Sequence, residues 1–124
     1  MKRVKIWLFA VLILLAVCPV PAMAARFTGA YLLQVCEKDE QGHEKVKGGH
    51  ATCQSYISGV MDYHNVLRSL DIAPKIDICI PQSVTLNDVH DIILRYLRKH
   101  GEHDAFIAAP AVTMALYEVY PCKK

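Results

Sequence analysis

Apolar positions return every three or four residues along four stretches of this chain, and turn residues separate them. Thr28 can cap the first stretch, a helix through about Cys36 with Tyr31, Leu32 and Val35 on its apolar face. Residues 37 to 50 are charged and contain Gly42, Gly48 and Gly49, the composition of a solvated loop. From about Ala51 to Leu70, residues Cys53, Tyr56, Ile57, Val60, Met61, His64 and Leu67 recur at the spacing of one buried helix face. Gly59 sits inside that helix at a cost of roughly 1 kcal/mol relative to Ala, which close approach of another helix would explain.

Pro74 and Pro81 bracket Cys79 and break the pattern between Asp71 and Gln82, where Lys75 to Ile80 is the only candidate strand. A third helix follows Thr85, whose spacing to Asp88 resembles a capping box with a shorter acid. Leu86, Val89, Ile92, Ile93, Tyr96 and Leu97 form its core stripe, and Arg95, Arg98 and Lys99 complement the dipole at its C-terminal end. Gly101 stops it. After a short turn around Asp104 to Ala108, a last helix starts near Pro110, with Val112, Ala115, Leu116 and Val119 facing inward. The pattern predicts an all-α domain, a small four-helix up-down arrangement.

The first 24 residues follow a different rule. Lys2, Arg3 and Lys5 precede an apolar run from Ile6 to Val17, too short for a comfortable membrane span, and Ala22-Met23-Ala24 offers a small-residue cleavage site. This is a secretory signal, which leaves residues 25–124 as one periplasmic domain without a membrane anchor. Cys18 follows Val17, where a lipid-attachment site wants a small residue, so the alanine site is preferred. Export also changes the charge. The whole chain has 14 Lys plus Arg and 12 Asp plus Glu; the leader takes away three bases and no acid, leaving eleven against twelve. No basic patch argues for nucleic acid.

Four cysteines remain after the leader, Cys36, Cys53, Cys79 and Cys122. An even count in a short exported domain reads as two disulfides, and three pairings are open. The up-down arrangement selects among them. A helical hairpin brings Cys36 and Cys53 to one end, while Cys79 before the third helix and Cys122 after the fourth lie at the other. Bridges Cys36–Cys53 and Cys79–Cys122 would contribute roughly 3 and 4 kcal/mol in the chain-entropy model. With no C-x-x-C pair, their expected role is structural.

Candidate chemistry is sparse. Of the six histidines, His100 and His103 are three apart with Asp104 adjacent, but no set of three or four residues has structural-zinc spacing, so no metal and no other cofactor is expected. His64, on the apolar face of the second helix, reads as a hydrogen-bonded core residue. Asp62 reads as either a solvated helix acid or part of a buried polar contact with the chain near Cys79, and its place among core residues favours the second. Ser55, Ser58, Ser69 and Ser83 lie in no nucleophile context, and no acid, base and nucleophile converge, which argues against an enzyme. Recognition elements are more often loops held by a rigid scaffold, here residues 37–50, 71–78 or 99–106. The last offers Lys99, His100, Glu102, His103 and Asp104 as donors and acceptors beside Phe106, an apolar anchor or a core residue.

Ordered pieces of the chain resemble the Rap/Tai family of type VI secretion immunity proteins. They are Cys53-x-x-Tyr56-Ile57-x-Gly59-Val60-x-Asp62, Cys79-Ile80-Pro81-x-x-Val84-Thr85, Tyr96-Leu97-x-x-His100, Ala115-Leu116 and Tyr120-Pro121-Cys122. Gly59, Asp62 and Pro81 are its structural motif residues, and Gly101 departs from it, standing where such proteins usually have Pro. The resemblance implies an exported helical protein that binds a cognate effector, a peptidoglycan amidase delivered by neighbouring bacteria, and blocks its active site. A homodimer is also compatible with it. The alternative from another class is a small periplasmic acid-stress chaperone, since six histidines add charge between about pH 5 and 7. That reading lacks the charge imbalance and flexible basic tails that would favour it.

Overall fold

The computed structural model describes residues 26–73 and 75–123. The leader with Cys18, and Pro74, lie outside the described residues. Four α-helices form among those described: α1 Gly29–Cys36, α2 Gly49–Ser69, α3 Leu86–Lys99 and α4 Ala109–Val119, with a 3-10 turn at Gly101–His103 between α3 and α4.

Each helix begins where its free N–H groups find acceptors. The Thr28 hydroxyl accepts from the Tyr31 amide, while the N–H groups of Gly29 and Ala30 donate to the carbonyls of Phe106 and Asp104. Helix α2 starts before Ala51 for a reason outside its own sequence. Its N-cap Gly48 has no side chain, but the Glu44 carboxylate accepts from the N–H of Gly48 at 2.8 Å and of His50 at 3.0 Å. Those backbone donors hold the Glu44 carboxyl below its usual range. Thr85 and Asp88 complete a reciprocal capping box at α3, and Pro110 occupies the first turn of α4. Gly101 does not cap α3: His100 does, and Gly101 opens the 3-10 turn.

Leu32, Val35, Ile57, Val89, Ile93, Leu97, Val112, Ala115 and Leu116 make one core in which every helix takes part. At helix ends the expected apolar faces open to solvent: Leu86 in the first turn of α3 and Val119 in the last turn of α4 are exposed. Gly59 also differs from expectation. It faces solvent, and a side chain built there would meet nothing within 4 Å, so no neighbouring helix requires it. Close approaches occur instead at Gly29, where a Cβ would collide with the carbonyl of His103, and at Gly49, where it would collide with the carbonyl of Val35.

Both expected disulfides are present, Cys36–Cys53 and Cys79–Cys122. The first is buried between α1 and α2, where the α3 residue His90, 1% exposed, donates from Nε2 to the Cys36 carbonyl at 2.8 Å. Burial pushes the His90 imidazole below its ordinary pKa. The second is flanked by backbone bonds: Cys79 N–H donates to Tyr120 O at 2.8 Å and Cys122 N–H to Asp77 O at 3.0 Å. The Lys75–Ile80 strand candidate yields only one isolated bridge, Ile78 with Pro121. The Tyr120 N–H, which would extend the ladder, donates to the Leu116 carbonyl at the end of α4 instead.

Two glycines give opposite expectations. Gly29→Ala should lower stability by about 1–3 kcal/mol, because the His103 backbone must move. Gly59→Ala should raise it by about 0.5–1 kcal/mol, since the site is open and helical. Urea unfolding of both variants checks this; equal shifts of the same sign would contradict it. Stability should also fall in two steps as pH drops. His90 has a lowered folded pKa, so below about 6.5 the unfolded chain takes up a proton that the folded chain refuses. Glu37, lowered chiefly by its hydrogen bond from Arg98, keeps its contribution above its usual value near 4.5 and loses it as pH falls further. In thermal melts between pH 7.5 and 3, His90→Leu should lose the upper step and keep the lower one.

Candidate binding site

The segment from Lys99 to Phe106 is held from beneath by one residue, Tyr96, itself buried on the last turns of α3. The ring of His100 stacks on Tyr96 with centroids 4.1 Å apart, and the Tyr96 hydroxyl is hydrogen-bonded to His103 Nε2 at 3.2 Å. Burial, with the nearby carboxylates of Glu118 and Glu102, pushes the Tyr96 phenol above its usual range. His100 Nδ1 donates to Glu102 Oε1 at 2.7 Å, and this bond holds the Glu102 carboxyl low. Backbone bonds His103 N to His100 O, Asp104 N to Gly101 O and Phe106 N to His103 O carry the chain through successive turns. The carbonyls of Asp104 and Phe106 then accept the free amides of α1. A chain so tied has few alternative conformations to lose on binding.

The five predicted residues therefore divide by role. His100 and His103 are half-buried and fix the turn, whereas Lys99, Glu102 and Asp104 are exposed. Phe106 is not a core residue: it is 67% exposed, and its neighbour Ile107 is 52% exposed. The turn thus exposes an aromatic side chain, two carboxylates and one ammonium. His100 and His103 are committed to Glu102 and Tyr96, with ring centroids 6.3 Å apart. Among the described residues, the group with metal-ligand spacing is Cys36, Cys53 and His90, but its two sulfurs are bonded to each other.

The other two loops are built differently. Residues 37–50 are bound down by charge: Glu37 receives Lys45 at 2.6 Å and Arg98 at 2.9 Å, and Lys38 reaches Asp91 at 2.7 Å. Asp39 accepts from the amides of Gln41 and His43. In the 71–78 stretch Asp71 is left-handed at φ 56°, and Ile72 is exposed.

The motif residues Asp62 and Pro81 are exposed like Gly59. Asp62 makes no hydrogen bond or ion pair among the described residues, so the expected contact with the chain near Cys79 is not its own. Arg68 makes that contact, with Nε 3.0 Å from Asp77 Oδ1 and Nη1 donating to the Ile78 carbonyl at 3.2 Å. Asp62 lies on the outer side of α2, while His64 and Arg68, one turn apart, lie toward Asp77. His64 is buried as expected, at 8% exposure, but its Nε2 has no hydrogen-bond partner and stands 3.9 Å from Asp77 Oδ1. His90 and Gly29 were not singled out by the sequence reading. His90 follows Leu86 by four and precedes Ile93 by three, so the apolar period itself places it inward. Gly29 carries no such signal.

No helix among the described residues is long and apolar enough to cross a membrane. No curated protein and no solved structure matches the chain. A family model described as Rap1a immunity proteins does match, over residues 28–122. That stretch runs from the capping threonine of α1 to the last cysteine, and so takes in all four helices, both disulfides and the 99–106 turn. The chain belongs to the Rap1a immunity protein family.

Proposed function

We propose that this protein is a periplasmic immunity-type binder that inhibits a peptidoglycan amidase by laying the 99–106 turn across the enzyme's active-site cleft. The observation that carries the reading is Phe106, a large aromatic side chain two-thirds exposed on a turn whose backbone is fixed from both sides. Partner anchors are commonly aromatic side chains that fill a pocket, ringed by polar contacts that exclude water. Here Glu102, Asp104 and Lys99 supply that ring. The exposed carboxylates complement a cleft that presents N–H donors or a metal ion, as hydrolytic sites do. Inhibition by occlusion needs no chemistry from the binder, only rigidity and fit. His100 and His103 are positioning residues in this reading, since they act through Tyr96 and Glu102. The leader-like residues 1–24 support residence in the periplasm, the family supports a cognate effector as partner, and the motif resemblance carries the choice of an amidase.

Amidases encoded beside the gene are the partners to test, by co-purification and by protection of cells expressing them in the periplasm. With a partner in hand, Phe106→Ala should weaken binding by about 2 kcal/mol or more, roughly thirtyfold. Its melting temperature should hold, because the side chain is mostly outside the core. The triple change of Glu102, His103 and Asp104 to Ala should weaken binding as well. Unchanged affinity in both, with circular dichroism intact, would transfer the site to residues 37–50 or 71–78.

A further inference from the structure

A cleft of about 610 Å³ lies away from the 99–106 turn, between α2, the Ile78–Gln82 segment and α4. Its size falls within the range of small-molecule sites, roughly 300–1,000 Å³, and well above what one side chain fills. Its walls are of two kinds. Val60, Met61, Ile80 and Leu116 make an apolar trough, and His64, Asn65, Arg68 and Gln82 contribute its polar lining. Its ionisable lining residues are His64 and Arg68, and the Asp77 carboxylate lies 3.9 and 3.0 Å from them.

The donors there are not exhausted. A guanidinium has five N–H groups. Arg68 Nε lies 3.0 Å from Asp77 Oδ1 in an ion pair without hydrogen-bond alignment, and Nη1 donates to the Ile78 carbonyl; Nη2 makes no hydrogen bond among the described residues. The Asn65 and Gln82 side-chain amides make no hydrogen bond among the described residues, and a guanidinium held by one hydrogen bond to the Ile78 carbonyl keeps donors of its planar fork for a carboxylate. We infer that this cleft is a binding site for a small amphipathic carboxylate, a free molecule with an alkyl or aromatic body in the Val60–Leu116 trough and its carboxylate on Arg68. The site is separate from the proposed effector surface, so its failure or success leaves that reading untouched.

Isothermal titration of the disulfide-bonded protein with octanoate, octan-1-ol and acetate tests the assignment. Octanoate should bind saturably at one site. Octan-1-ol should bind about tenfold more weakly or worse, because it lacks the charge-assisted pairing, and acetate should not bind for want of a body. Arg68→Gln should bring octanoate down to the level of octan-1-ol and leave octan-1-ol unchanged, which also shows the trough still formed. Val60→Trp should abolish both by filling the trough. Absence of saturable octanoate binding, equal affinity for octanoate and octan-1-ol, or octanoate affinity unchanged in Arg68→Gln would each overturn the inference.

Discussion

The Cys36–Cys53 bridge is the constraint on which the rest of this small fold leans. Both half-cystines are fully buried, one ending α1 and the other in the first turns of α2, so the crosslink sets how these two helices meet. The third helix is referred to the same point, because His90 donates to the Cys36 carbonyl. That bond answers a specific need: Cys36 is the last residue of α1, and its carbonyl has no acceptor role left within the helix. A short helix of eight residues would not persist alone in water. It persists because its far end is bridged and its near end is capped by Thr28 and by the carbonyls of the 99–106 turn.

That second attachment links the fold to the proposed function. The turn that presents Phe106 is also what supplies acceptors to the N-terminus of α1, with Gly29 allowing the two backbones to touch. Rigidity at the presented surface is therefore a by-product of how α1 is completed, and no separate scaffold is needed. The opposite crosslink, Cys79–Cys122, plays a different part. It joins two extended pieces that meet in one isolated bridge, and beside them Arg68 pairs with Asp77 and lines the cleft between α2 and α4.

The charged residues divide in the same manner between holding and presenting. Glu37 and Glu44 have lowered carboxyl pKa values because each is satisfied by donors from its own surroundings, two side chains in one case and two backbone amides in the other. They are committed to the loop they sit in. Glu102 is also lowered, by His100, and like Glu44 it is exposed.

The sequence by itself determined the helices and the crosslinks, and the reasons are local. Apolar period, the Thr28 and Thr85 caps and the Pro110 start act within a few residues, and the cysteine pairing followed once the helices were laid antiparallel. The family, too, was legible in the order of short motifs from Cys53 to Cys122. Only the tertiary structure decided which motif residues face the core. Gly59 and Asp62 looked structural and are solvent-facing, while Gly29 and Arg68 carried no pattern and make a close approach and the polar tie. It also decided that His90 enters the core and that Phe106 leaves it. Those outcomes depend on which backbone arrives opposite each side chain from 10 to 74 positions away, as Ile78 does for Arg68 and His103 for Gly29, and periodicity along one element holds no record of that distance.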